Sequence, residues 1–372
     1  MKTPFILDAH LDLAMSALES NRDLRWPLER IRRRELGQTD RPDRSNTTVC
    51  FPEMRKANIG LCVATLFGRS GGFHYRIPAW ASPQHAWAQT QAMIAWYREM
   101  EACGELTQIR SRSDLDAHLQ HWNTAPPIAD ITQHSKPAAA PASIGYVLSL
   151  EGADSLVSFK HLEHDYAEGL RAIGPAHYGP GVYAHGTDDE GPLPPRGREL
   201  LKEMERLGII LDVTHHCDES FWDALNHFEG PVWASHHNCR ALANWNRQLA
   251  DDQIKALVER GAVIGLAFDA IMMVHNWRHL QSRSQDFDLR LEKIVEHADH
   301  ICQLAGSAKH LGLGTDLDGG FGNEQTPMDL NSIADLQKLP ALFAKRGYSA
   351  ADIEGILHGN FLRFLREHLP AQ

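Results

Sequence analysis

No apolar run in this 372-residue sequence approaches the roughly 20 residues that cross a bilayer as a helix, so membrane spans are not expected. Positive charge is short as well. Lys and Arg number 37 against 48 Asp and Glu, a formal net charge of -11, which argues against nucleic acid or an anionic membrane surface as a partner. Cysteine is sparse, with Cys50, Cys62, Cys103, Cys217, Cys239 and Cys302 scattered through the chain and no C-x-x-C pair. Such isolated cysteines, several in apolar runs, read as reduced thiols and point to a cytoplasmic location. Met1-Lys2-Thr3-Pro4 leads straight into a core-like strand without the apolar stretch or small-residue cleavage site of a secretory leader. Only Thr124 to Ala142, rich in Pro and Ala, could pass for a domain linker; an apolar strand follows it, so a surface connection is the better reading.

Histidine, by contrast, is plentiful, with 22 copies. The stretch Asp8-Ala9-His10-Leu11-Asp12 closes the apolar run Phe5-Ile6-Leu7. In a regular strand residues two apart share a face, so Asp8, His10 and Asp12 are expected to project together. Several polar groups on one face of a buried strand cost several kcal/mol unless something pairs them, and a divalent cation would do so.

Apolar runs then recur down the chain: Ile59 to Phe67, Ile144 to Leu150, Leu170 to Ala176, Gly208 to Thr214, Pro231 to Ser235, Ala262 to Phe268 and Leu311 to Thr315. From Ile144 onward they alternate with helical patterns, and with the first strand they make eight. Such alternation implies parallel strands with right-handed crossovers, and eight units close a barrel. The expectation is an α/β fold, a distorted TIM (β/α)8 barrel in one domain spanning 1–372, with surface insertions at about 13–58, 68–82 and 104–142. The Arg-rich segment Arg22 to Arg44 reads as a loop and short helix over one barrel end, its charges solvated.

All strand C-termini of a parallel barrel meet at one rim. That rim would carry His10, Asp12, Glu151, His177, His215, His236 and Asp316. Three histidines with three or four carboxylates in one cup suit a binuclear site for divalent metals, with a carboxylate to bridge. In the doublets His215-His216 and His236-His237, strand alternation lets only the first face inward. Asp316 is preferred to Asp318 because Gly319-Gly320 suggests that the chain has already turned by Asp318.

These pieces, with Gly208-Ile-Ile-Leu-Asp-Val-Thr-His215, Pro231-Val-Trp-Ala-Ser-His236, Asn246-Arg247 and Gly312-Leu-Gly-Thr-Asp316-Leu-Asp-Gly319, resemble the membrane (renal-type) dipeptidases of the amidohydrolase superfamily. The match runs in the family's order over nearly the whole chain. It implies a metallo-dependent hydrolase barrel with two zinc ions. By resemblance, His10, Asp12 and Glu151 hold one ion, and Glu151, His215 and His236 the other. His177 corresponds to the histidine that polarises the scissile carbonyl, Arg247 to the arginine that grips the substrate's C-terminal carboxylate, and Asp316 to the acid/base. The chain departs from the family at Ala176-His177-Tyr178-Gly179-Pro180-Gly181, at Leu317 and at Phe268-Asp269-Ala270-Ile271, all bearing on the substrate wall. The family's secretory signal and lipid-anchor tail are not expected here.

The expected activity is hydrolysis of small dipeptides, L,L and L,D alike, by a hydroxide bridging two divalent metal ions. A related amidohydrolase acting on N-acyl amino acids or lactones, and a non-catalytic metal-binding relative, are the alternatives. A homodimer is left open.

Overall fold

The structure, a computed structural model, describes residues 3–70, 79–124 and 142–372. Nine strands lie in one sheet: β1 Ile6–Leu11, β2 Ile59–Phe67, β3 Leu106–Gln108, β4 Ile144–Glu151, β5 Leu170–Gly174, β6 Ile210–Asp212, β7 Val232–Trp233, β8 Ile264–Leu266 and β9 Leu311–Leu313. Every pairing between them is parallel, in the order β7-β6-β5-β4-β2-β1-β9-β8. A bridge from Ala234 to Ile264 joins the two ends of that order, so the eight strands form a nearly closed barrel. The eight expected strands are the eight of the barrel. The ninth, β3, pairs only with β4 outside this ring; at three residues, Leu-Thr-Gln, it carries no periodic signal. The connection expected at 124–142 lies almost wholly outside the described residues, as does part of the insertion at 68–82.

β2 is buried at all nine positions, as its unbroken apolar sequence requires of a strand covered on both faces. Leu7, Ala9, Leu61, Val63, Val147, Ala172, Ile210 and Trp233 pack into one cluster with Phe361, Phe364 and Leu365 of the C-terminal helix Asn360–His368. That helix lies against the strand N-termini: Asn360 Nδ2 donates to Ala308 O (2.8 Å) and Leu311 O (2.7 Å). The helix Arg112–Thr124 packs at the same end, where His118 Nε2 lies 2.7 Å from Gly60 O. The barrel is therefore stoppered below, and its polar end is the C-terminal rim. Among the described residues no helix is long and apolar enough to cross a membrane.

The Arg-rich segment holds the expected short helix, Leu28–Arg34, and Arg25, Arg30, Arg33 and Arg34 are exposed, but part of it departs from expectation. Arg22, only 3% exposed, pairs with Glu35 (2.8 Å) and Asp43 (2.9 Å) and lies 3.7 Å from Asp318; Arg44 reaches Glu35 at 3.1 Å and Arg41 reaches Asp43 at 3.2 Å. These charges form a buried ionic knot, because a desolvated guanidinium needs carboxylate partners that water no longer replaces.

Candidate metal centre

The strands that carry the site stop early. His177, His215, His236 and Asp316 each lie three residues beyond the last residue of β5, β6, β7 and β9, on the first turn of the rim. His215 (φ 68°) and Asp316 (φ 61°) occupy the left-handed region, so turn geometry, not strand alternation, aims them. The alternation argument for the histidine doublets thus fails in its mechanism. His216 and His237 are nevertheless outside the groups within ligating reach.

The first strand also breaks its expected pattern. Asp8 pairs with Cys62 and Leu11 with Ala64, so three steps along β1 match two along β2. This one-residue bulge places Asp8 and His10 on different faces although they are two apart. Asp8, fully buried, accepts from Thr315 N (2.8 Å), Thr315 Oγ1 (2.6 Å) and His10 N (3.2 Å), tying β1 to the loop that carries Asp316.

Glu151, the last residue of β4, stands at the middle of the cluster. Its Oε1 lies 3.2 Å from His215 Nε2, 3.4 Å from His236 Nε2 and 3.6 Å from His10 Nε2. His10 Nε2 is also 3.6 Å from Asp12 Oδ2 and 3.8 Å from Asp316 Oδ1. Three triads bring their ligand atoms within 4.8 Å: His10 with Asp12 and Glu151, Glu151 with His215 and His236, and His10 with His236 and Asp316. Glu151 belongs to the first two, as a bridging carboxylate would. Asp316 joins the third, so it too has ligating reach.

These residues fit a bound divalent ion on two counts. His10 Nε2 is buried with no hydrogen-bond partner, and the Nε2 atoms of His215 and His236 face each other at 3.3 Å. Hydroxyls lie behind the rings: Thr187 Oγ1 is 3.0 Å from His215 Nδ1 and Ser235 Oγ is 2.9 Å from His236 Nδ1, which leaves Nε2 directed at the centre. Thr65 Oγ1 donates to Asp12 Oδ1 in the same way. Burial holds the Glu151 and Asp316 carboxyls far above the usual carboxylate range, opposed at both by the His10 imidazole and, more weakly, by the Arg247 guanidinium. Burial alone would lower His10, but Glu151, Asp12 and Asp316 outweigh it and push the imidazole up to about 10. His215 and His236 are driven well below the ordinary imidazole range, first by burial. The two imidazoles kept neutral, His215 and His236, together with the crowded carboxylates around His10, suit a cation site.

Of the remaining expected residues, His177 Nε2 lies 3.9 Å from Glu151 Oε2, with its ring against Phe67 (4.8 Å) and His215 (4.4 Å). Arg247, 1% exposed, donates from Nη2 to His236 O at 3.1 Å. Asp318 turns away from the cluster and accepts from Thr48 N (2.7 Å), Thr48 Oγ1 (2.7 Å) and Val49 N (3.2 Å). Just after the two aspartates, Gly319 packs directly against Asp316: a Cβ there would meet Asp316 Oδ1 at 2.1 Å.

Asp212 had not been singled out. Its Oδ1 accepts from Thr214 N (3.0 Å) and Ser235 N (3.1 Å), stitching together the two turns that present His215 and His236. An aspartate three residues before a rim histidine is a weak pattern, and the supporting hydroxyls carry no sequence signal at all.

Comparisons with known proteins bear on this geometry. A Klebsiella pneumoniae protein encoded in the pqqA 5′ region is 32% identical over 232 residues, covering 60% of this chain and 82% of that protein. The crystal structure of dipeptidase AC, a metallopeptidase of family M19, superposes with a TM-score of 0.77 at 22% identity, covering all of both chains. A Rhodobacter sphaeroides metallopeptidase liganded with a phosphinate mimic of L-Ala-D-Ala gives a TM-score of 0.75 at 21% identity, covering 99% of this chain and 100% of that one. These two likenesses establish the shared barrel fold. The model of the membrane dipeptidases, peptidase family M19, matches residues 1–371, and the chain therefore belongs to that family.

Proposed function

We propose that the protein is a dipeptidase that works with two divalent metal ions, zinc being the ion that a mixed histidine and carboxylate set suits best. The reading rests above all on Glu151, within reach of His10 and Asp12 on one side and of His215 and His236 on the other. It also takes the chain as one (β/α)8 domain at work in the cytoplasm.

Bound there, the ions lower the pKa of a coordinated water toward about 7 and polarise the substrate carbonyl. The protein's own groups do the rest. Arg247 holds the substrate's C-terminal carboxylate, since a guanidinium matches it with two parallel charge-assisted hydrogen bonds. His177, at the edge of the cluster, orients the scissile carbonyl. Asp316 accepts the proton released by the attacking water and delivers it to the leaving amine.

The test is hydrolysis of a panel of L,L and L,D dipeptides by metal-replete protein, the L,D members being included because the Rhodobacter relative is liganded with an L-Ala-D-Ala mimic. Turnover with about two metal equivalents per chain is expected. Turnover of an N-acyl amino acid or lactone, with none of any dipeptide, would overturn the reading in favour of another amidohydrolase chemistry. Arg247→Ala should lower kcat/KM about 10- to 150-fold on a dipeptide, as the loss of charge-assisted bonds implies, and much less on its C-terminal amide.

A further inference from the structure

Arg69 lies two residues beyond the end of β2 and is 3% exposed. Both of its terminal nitrogens, Nη1 and Nη2, are buried without a hydrogen-bond partner. Such a guanidinium is costly to leave unmatched, because it has lost water and gained nothing in return. Its nearest counter-charge does not relieve this. Asp154 acts on Arg69 through space, but its carboxylate oxygens take their hydrogen bonds from Ser70 N (3.2 Å) and Val182 N (2.8 Å).

The guanidinium lines a recess shared with Gly152, Asp154, His177, Tyr178 and Gly181. Glycines keep it open: a Cβ on Gly181 would meet Ala184 O at 2.8 Å and Asp154 Oδ1 at 3.2 Å, and one on Gly152 would meet His177 Cβ at 3.3 Å. Its free space, about 10 Å³, takes a group the size of one water or one carboxylate oxygen, so only the end of an entering side chain is admitted. What fits is the tip of an acid.

The barrel order says which part of a substrate arrives there. Around the ring closed by Ala234 and Ile264, β2 and β7 are four strands apart in either direction, and so diametrically opposed. Arg247 hydrogen-bonds to His236, at the rim beyond β7; Arg69 is at the rim beyond β2. A dipeptide with its C-terminal carboxylate at Arg247 and its carbonyl beside His177 therefore runs its N-terminal residue toward Arg69.

We propose that Arg69 is a specificity residue that receives the side-chain carboxylate of an acidic N-terminal residue, so that the preferred substrates are dipeptides beginning with Glu or Asp. This rests on the dipeptidase reading above. Phosphinate analogues of Glu-Ala and Gln-Ala, which differ only in carboxylate against amide, bind whether or not turnover occurs. Calorimetry on metal-replete protein should show the Glu analogue binding about 10- to 150-fold more tightly, as expected for charge-assisted hydrogen bonds to a buried guanidinium. Arg69→Gln should erase that ratio and Arg69→Lys should restore part of it; kcat/KM for Glu-Ala over Gln-Ala should follow. Equal binding of the two analogues by the wild type, or an unchanged ratio in Arg69→Gln, overturns the proposal and leaves the dipeptidase reading intact. Binding of neither analogue together with hydrolysis of no dipeptide overturns both.

Discussion

Two clusters of buried charge lie at the rim end of this barrel and are built on opposite plans. In the ionic knot three guanidiniums, Arg22, Arg41 and Arg44, face three carboxylates, Glu35, Asp43 and Asp318, at short range. In the candidate metal centre three carboxylates, Asp12, Glu151 and Asp316, crowd around imidazoles, with Arg247 the cation acting on Glu151 and Asp316 from outside. In one cluster every buried carboxylate has a guanidinium beside it. The other is short of positive charge by about the amount that divalent ions supply. The contrast shows how a buried acidic group can be read: where guanidiniums complete it, it holds the fold; where only imidazoles do, it awaits a cation.

The largest expected effect is at Glu151, which belongs to two of the three triads. Glu151→Ala should bring bound metal close to zero after zinc reconstitution and abolish measurable hydrolysis. Retention of two equivalents would remove Glu151 from the bridging position. Next is the pair of aspartates two residues apart, one in each cluster. Asp316→Asn should lower kcat by about 10²–10⁴ at near-normal metal content, the contribution of a general acid/base group; Asp318→Asn should act on melting temperature instead. Loss of metal from Asp316→Asn would make that residue a ligand, consistent with its reach to His10 and His236.

The knot gives the third prediction. Arg22→Leu strands Glu35, Asp43 and Asp318 without their shared partner and should cost about 3–5 kcal/mol in urea unfolding, while metal content below the transition stays normal. A loss under 1 kcal/mol would show that water fills the gap. The smallest effect calibrates the comparison with a buried acid that has no cation of either kind. Asp165, fully buried, is hydrogen-bonded by Gln91 (3.0 Å), and burial pushes its carboxyl up to about 7. The native state therefore binds a proton that the unfolded chain releases above pH ~4, so Asp165 lowers stability as pH rises from about 4 to 7. Asp165→Asn should stabilise the protein by about 1–3 kcal/mol at pH 7–8, with the gain fading toward pH 4. Melts across that range, compared with the wild type, decide it.

How much of this could be read beforehand differs between the clusters for a physical reason. Parallel strands ending at one rim turn a one-dimensional list of polar residues at strand ends into a three-dimensional cluster. His10, Glu151, His236 and Asp316 could be nominated together for that reason. The knot offers no such rule: Arg22 and Asp318 are 296 positions apart, and the run from Arg22 to Arg44 has no period to reveal a buried face. The bulge at Asp8 to Leu11 was equally hidden, since an extra residue in a strand changes no residue type. The same holds for Thr65, Thr187 and Ser235, whose work depends on where a ring nitrogen points. Arg69 lay in an expected surface insertion, but the lack of a hydrogen-bond partner for its terminal nitrogens belongs to the fold alone.

The aromatic stopper at the foot of the barrel has a kinetic meaning. With Phe361 edge-on to Trp233 at 5.8 Å and Phe364 tilted against it at 5.6 Å, the barrel is a cul-de-sac. Substrate must enter by the mouth, and both amino acids released from a dipeptide must leave by it. On the proposed role of Arg247, the fragment held there would occupy the carboxylate position that the next substrate needs, so free amino acids released from the C-terminal side are expected to act as competitive inhibitors, and traffic through a single doorway to limit the rate at high product concentration.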